Sequence, residues 1–332
     1  MAEGYRIIGA EMSPYSVKVR SYFRYKAIPH QWVLRNAASQ AEYARHAKIP
    51  VIPLVVTPED VGIQDSTPII DRMEGLFPEP HVHPDDPVAR FISMLMEEFG
   101  DEWGNKWMFH YRWARDVDQR ASAGRIARMM APKASEAEFA PFADQVRARM
   151  TGRVWFVGSN EANGPEIESG FREMLDLLET HLATRPYLFG RRPAYGDFGL
   201  WGQFYELWTD PTAGALIEGG TPHVLAWIHR MLWPRAEGAF ESWTQIAPTM
   251  MPILTKQVGR MFWPWTLANE KALADGAEEF SVRLGAHAWT QKPQKYHARS
   301  LGMLRAKYAA TPGRKDLDMI LAAAGCLAGL QA

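Results

Sequence analysis

Apolar and polar positions change period once along this chain, near residue 88. Before that point short β-type runs alternate with helical stripes. Tyr5 to Gly9 is an apolar run of strand type. Tyr15, Val19, Tyr22 and Phe23 then fall at i, i+4, i+7 and i+8, the stripe of an amphipathic helix. Gln31 to Leu34 reads as a strand and Ser39 to Ala47 as a helix. Val51 to Thr57 and Val61 to Gln64 are β-rich runs on either side of Pro58-Glu59-Asp60, and a last helix is predicted from Ser66 to Gly75. The predicted order is βαβαββα, a parallel crossover followed by a hairpin.

Phe77 to Pro87 holds four prolines and reads as a linker, with His81 and His83 expected to be exposed. Beyond it the pattern is helical: Val88 to Trp113, Ile167 to Leu182, Asp197 to Trp208 and Pro222 to Trp233 are long amphipathic segments. Twelve of the 13 tryptophans lie beyond residue 100, so the helical part is expected to have a thick aromatic core. Met319 to Leu330 is apolar but too short to cross a bilayer as a helix.

Composition narrows the function classes. With 37 Lys and Arg against 38 Asp and Glu, the net charge is -1, which gives no electrostatic reason to expect nucleic acid or an acidic membrane as partner. Acidic residues interrupt the arginine-rich run from Arg112 to Arg128, which reads as a solvated helix face. The group Glu97, Glu98, Asp101 and Glu102 reads the same way, with no Glu-x-x-His pair to suggest a metal. Cys326 is the one cysteine, so an internal disulfide is excluded and a reducing compartment is favoured. No basic-then-apolar leader is visible in the first residues, and a cytoplasmic location is expected.

Three stretches carry candidate chemistry. In Met12-Ser13-Pro14-Tyr15-Ser16, Ser13 stands at an N-cap and Pro14 in the first helical turn, an arrangement favoured on local grounds alone. A helix start reached directly from a strand is also an anion site, where a thiolate would gain a hydrogen bond from the Ser13 hydroxyl. In Ile49-Pro50-Val51-Ile52-Pro53-Leu54, proline within a β-rich run indicates either an edge strand or a cis bond. A cis bond before Pro53 would turn the Ile52 N–H and C=O toward an antiparallel peptide-like ligand. In Gln64-Asp65-Ser66-Thr67-Pro68, a helix start offers a carboxylate for an ammonium, and N–H groups with a hydroxyl for a carboxylate.

In order and spacing these three stretches resemble the N-terminal domain of glutathione transferases. Leu188-Phe189-Gly190-Arg191-Arg192-Pro193-Ala194-Tyr195-Gly196-Asp197 resembles the segment leading into that family's buried helix, with Ala194 where the family has a capping Ser or Thr. The resemblance covers residues 5 to about 245. It implies a thioredoxin-like glutathione-binding domain at 1–82, an all-α domain at 88–245, and a helical extension at 246–332 packed on it. It further implies Ser13 as the catalytic group acting on the glutathione sulfur. The Ile52 backbone presented by Pro53 would hold the cysteinyl part, Asp65 and Ser66 the γ-glutamyl end, and Lys48 the glycyl carboxylate. The segment from about 113 to 165 is longer than in a typical member.

Disulfide exchange needs a protein thiolate, and Ser13 stands where related proteins have cysteine, so thiol–disulfide chemistry at this site is disfavoured. The implied activity is glutathione transfer to a small hydrophobic electrophile, a detoxification-type reaction. Trp103, Trp107 and Tyr111 share a helix face with His110; packing the core is the favoured reading for them, and they are also the candidates to line the electrophile pocket. The rival reading is a non-catalytic glutathione- or ligand-binding protein of the same fold. A homodimer is left open.

Overall fold

A computed structural model describes residues 4–331. Strands β1 (Tyr5–Gly9), β2 (His30–Leu34), β3 (Leu54–Val56) and β4 (Gly62–Gln64) form one sheet in the order β2-β1-β3-β4. β1 runs parallel to β2 and antiparallel to β3, and β4 is antiparallel to β3. Helices α1 (Pro14–Tyr25), α2 (Gln40–His46) and α3 (Ser66–Leu76) complete the βαβαββα order. The period of two decides which face each residue serves. Ile7 and Val55 join the main core with α1 and α3, while Ile8, Leu54 and Val56 pack with Tyr43 of α2 on the opposite face. β3 is shorter than its apolar run because pairing starts only at Leu54.

The connection from α3 is not the exposed linker expected. Val82 is buried, its carbonyl accepts from the Tyr195 N–H at 2.9 Å, and the half-buried His83 ring lies 5.2 Å from that of Tyr195. Burial, with Arg90 nearby, pushes the His83 pKa down to about 4.

The helical part continues with α4 (Pro87–Phe99), a wide π-helical turn at Gly100–Gly104, α5 (Asn105–Ala114), α6 (Asp116–Met130), α7 (Glu136–Thr151) and α8 (Gly164–Leu182). Next come α9 (Tyr195–Thr209), α10 (Pro211–Gly220), α11 (Pro222–Arg230) and α12 (Trp243–Ile253). A second π-helical stretch, Leu254–Phe262, joins α12 to α13 (Trp263–Ala274). The molecule is therefore a thioredoxin-like α/β unit followed by a mostly helical body. The segment after 245, expected to be helical throughout, also contains an antiparallel hairpin, β5 (Phe280–Leu284) with β6 (His287–Gln291), before α14 (Lys295–Ala309) and α15 (Lys315–Ala324).

α9 is the central post. The fully buried Asp197 carboxylate accepts from the Leu188 N–H, the Ala194 N–H and the Trp227 indole, each at 2.9 Å. The acidic half of a capping box thus works without the Ser or Thr that usually completes it. Gly202 on α9 meets the first turn of α1, where a Cβ would lie 2.6 Å from the Pro14 carbonyl oxygen. The buried helix thereby fixes the height of the turn that carries Ser13.

Candidate active site

Register brings the three candidate stretches to one end of the sheet. Ile8 pairs with Leu54 and Leu54 with Gln64, so the exit of β1, the entry to β3 and the exit of β4 lie side by side. Ser13 follows the first, Ile52 and Pro53 precede the second, and Asp65 and Ser66 follow the third.

Ser13 is the N-cap of α1, and its Oγ accepts from the Ser16 N–H at 3.3 Å. That bond uses an oxygen lone pair and leaves the O–H free to donate away from the helix. The turn before it is held from the helical side: the Arg112 guanidinium donates to the Met12 carbonyl at 3.0 Å, and to Glu206 at 2.6 Å and Asp210 at 2.7 Å. Arg112 and both carboxylates are buried, which corrects the expectation of a solvated arginine face. Asp118 of the same run is also buried and accepts from the Thr212 N–H and hydroxyl at the start of α10. The neighbouring Tyr15 hydroxyl is committed elsewhere. Tyr15 donates to the Asp101 carbonyl at 3.0 Å and accepts from Asn105 at 3.3 Å, and burial with nearby Glu102 and Asp101 holds its pKa well above the usual range. Ser16 is buried beneath the turn.

The Ile52–Pro53 peptide bond is cis. Gln64, which the sequence reading did not single out, shapes the loop before it. Its side chain accepts from the Lys48 N–H at 2.7 Å and the Ile49 N–H at 3.1 Å, and donates to the Ile49 and Val51 carbonyls at 2.8 and 3.0 Å. Tyr43 braces the same two carbonyls. Lys48 itself is exposed on this loop.

Asp65 has φ +78°, a backbone region that costs a non-glycine residue about 1–3 kcal/mol and that clusters at ligand sites. Its carboxylate does not cap α3; Oδ2 accepts from the Tyr296 hydroxyl of α14 at 2.6 Å. Ser66 is buried, with Oγ 3.5 Å from both the Lys18 ammonium and an Asp101 oxygen.

Behind this edge lies a charged core rather than a solvated face. Glu97, Glu98, Asp101 and Glu102 are 2–7% exposed. Lys18 donates to Glu97 and Asp101, each at 2.6 Å, and Thr67 donates to Glu97 at 2.6 Å. Burial alone would lower the Lys18 pKa, but its two carboxylates outweigh that and hold it above the ordinary lysine value. Burial pushes Glu102 up to about 8, opposed by Lys106 and reinforced by Glu97. Two neighbours close off the face. α9 approaches so tightly that a Cβ on Gly100 would lie 2.6 Å from the Leu200 nitrogen, and α14 covers the outer side through Ser300 on Glu98 and His297 on Glu102.

Trp103, Trp107 and Tyr111 are core residues. Trp103 packs on Trp265 and Trp289 of the extension, Trp107 on Phe99, Phe171 and Phe204, and Tyr111 on Phe171. His110, on the same stretch, bonds Ser159 at 2.8 Å and Glu168 at 3.2 Å. The cleft beside the Ser13 turn is a different one, of about 420 Å³. Met12, Leu34, Met129, Pro132 and Tyr205 give it apolar walls, and Arg125 and Arg128 stand at its edge. Its walls come from two loops, the end of β2 and helices α6 and α9, segments far apart in sequence, so no local pattern announced it.

Comparison with known proteins adds an independent finding. The family model described as Glutathione S-transferase, N-terminal domain, matches residues 7–81, and that for the C-terminal domain matches residues 133–230; together they span more than half of the chain. Among solved structures, the beta-etherase LigF from Sphingobium sp. strain SYK-6 is 18% identical, covering 69% of this chain and 94% of its own, with a TM-score of 0.50. A Tau class glutathione S-transferase from mango, Mangifera indica L., is 18% identical over 70% of this chain and 89% of its own, with a TM-score of 0.41. A glutathione S-transferase from Methylobacterium radiotolerans in complex with glutathione sulfonate is 19% identical over 71% and 98%, with a TM-score of 0.40. At these identities the likeness is one of fold. No individual curated protein matches the chain.

Proposed function

Because this chain belongs to the glutathione transferase family, we propose that it binds glutathione at the sheet edge described above and transfers its thiolate to a small apolar electrophile. The observation that carries this reading is Ser13: its oxygen is already engaged as a helix cap, so its proton is free to meet a sulfur at the N-terminus of α1. A free thiol with pKa ~8.5 is only about 3% ionised at pH 7, and lowering that by ~2 units gives roughly 75% thiolate. The shift corresponds to about 2.7 kcal/mol of preferential thiolate stabilisation, within reach of a hydroxyl hydrogen bond and a helix terminus together.

The Ile52 backbone faces the cysteinyl part, Asp65 takes the γ-glutamyl ammonium, and Lys48 extends toward the glycyl carboxylate. For Ser66 the burial of Oγ against Lys18 leaves its N–H, at the start of α3, as the group for the γ-glutamyl carboxylate. The electrophile occupies the cleft walled by Met12, Leu34 and Tyr205, in place of the Trp103, Trp107 and Tyr111 face. In the reaction the thiolate sulfur forms a bond to the electrophilic carbon, the leaving group departs with its electron pair, and the thiol proton goes to solvent.

The test is turnover of a generic aryl halide with glutathione. Formation of the thioether supports the reading. Glutathione binding without turnover of any small electrophile would move the protein to the rival reading of a non-catalytic binder, in which Ser13 is kept only as a cap.

A further inference from the structure

Asp65 and Tyr296 are 231 residues apart in sequence, yet their side chains meet at 2.6 Å. Asp65 belongs to the N-terminal unit, and Tyr296 is the second residue of α14, beyond both matched regions. The contact is delivered by a held helix. Further along α14, the buried His297 ring lies against Glu102, Ser300 bonds Glu98, and Lys307 reaches Asp71 at 3.4 Å and the Tyr195 hydroxyl at 3.2 Å. Leu301 and Leu304 are buried between these polar anchors.

We propose that Tyr296 is a positioning residue for the glutathione site, holding the Asp65 carboxylate in the orientation that receives the α-ammonium of the γ-glutamyl end. The inference rests on the functional reading given above.

The phenol occupies Oδ2 alone. A carboxylate offers about four acceptor positions over its two oxygens, so Oδ1 stays free for an ammonium. Tyr296 is 48% exposed at the head of α14, and it stays a neutral donor, because partial desolvation, with Asp65 beside it, raises its pKa above the ordinary phenol value. Its hydrogen bond fixes the Asp65 rotamer without taking up the second oxygen. Without that bond, Asp65 would cap nothing and would lose side-chain freedom only on binding, a cost that falls on affinity. The extension, which lies outside both matched regions, thus completes a site on the N-terminal unit and favours thiols whose γ-glutamyl end carries a free ammonium.

The experiment compares Tyr296→Phe with the parent, using the full chain in both. Calorimetric titration is run with glutathione and with its deaminated analogue, which lacks that ammonium. The expected result is a five- to tenfold weaker affinity for glutathione in the variant, with the analogue's affinity unchanged and turnover at saturating glutathione within twofold. In the Asp65→Asn background the Tyr296→Phe change is expected to have no further effect on glutathione. Equal weakening for both ligands would show a merely structural role and overturn the proposal. Tighter glutathione binding by the variant would also overturn it, making the tyrosine a competitor for Asp65. A parent that binds neither ligand would sink the functional reading, and this proposal with it.

Discussion

Ser13 and Lys18 lie one and a half turns apart on α1 and pose opposite problems. Ser13 is half-buried, and its oxygen accepts a backbone bond that survives in no alanine variant. Ser13→Ala therefore removes a cap, costing about 1 kcal/mol of stability, and removes the donor to the sulfur. On the proposed reading, steady-state kinetics with an aryl halide should show turnover down tenfold or more, with glutathione affinity within a few-fold, since Asp65 and the Ile52 backbone would supply most ground-state contacts. An unchanged rate at saturating glutathione would take Ser13 out of the mechanism. Lys18 is fully buried against Glu97 and Asp101. Lys18→Met leaves both carboxylates without a cation, and breaking a buried pair in this way typically costs about 3–5 kcal/mol. Burial already pushes Asp101 up to about 8 with Lys18 in place, and without the cation it would rise further while Glu97, now held low, would rise above its unfolded value. Such groups bind more protons in the folded state, so the variant's stability should fall more steeply than the parent's as pH rises from about 5 to 8. Urea unfolding at both ends of that window decides the point; an equal loss at both would show that the carboxylates do not carry the effect.

At the scale of elements, local pattern was enough wherever an element answers to its own sequence. The stripe of α1, the Ser13 cap, the Asp65–Ser66 start of α3 and the strand-type run of β1 were readable because propensity and burial agree there. The reading failed at the end of α4 and the π-helical turn after it, where Glu97, Glu98, Asp101 and Glu102 look like a solvated stripe. Their burial depends on α9 and on α14, a helix some 200 residues away, which no window around residue 100 contains. For Trp103, Trp107 and Tyr111 the sequence favoured the core and kept the pocket as an alternative, because whether an aromatic stripe lines a pocket or a core is decided by what packs against it. α8 shows a related tie. Fully buried His181 donates from Nε2 to the Leu188 carbonyl at 2.8 Å and accepts at Nδ1 from the Thr249 hydroxyl at 2.7 Å, joining α8, the turn before α9, and α12. Burial, with the Arg185 charge beside it, pushes its pKa down to about 4. A histidine kept neutral in the fold binds fewer protons than its unfolded counterpart between about pH 6.5 and 4. Its contribution is complete above the unfolded pKa and declines by about 3 kcal/mol as pH falls through that window. In an NMR titration the His181 ring should stay neutral down to about pH 4; protonation near pH 6.5 would contradict the buried Nε2–H tautomer.

At the scale of the molecule, the matched domains and the extension share one core. Trp103 of the π-helical turn packs on Trp265 and Trp289, and Gln291 of β6 accepts from both the Trp265 and Trp289 indoles while donating to the Phe156 carbonyl at 2.6 Å. The Lys106 ammonium lies 3.7 Å from the Trp265 ring centre, and burial lowers its pKa to about 7. Removing residues 276–332 would uncover Trp103, Trp265, Lys106, and the carboxylates Glu98 and Glu102 together. Tryptophan-to-alanine changes in a core each cost about 3–5 kcal/mol, and the truncation removes Trp289 along with every α14 contact. The shortened chain should bind a hydrophobic dye such as ANS and unfold at a clearly lower urea concentration. Full-length protein should show a single transition in which tryptophan fluorescence and far-ultraviolet dichroism coincide. A truncated chain as stable as the full one would mean that the extension is an appendage on a finished core. In that case the buried state of the α4 carboxylates, and the support that α14 lends to Asp65, would need a different cause.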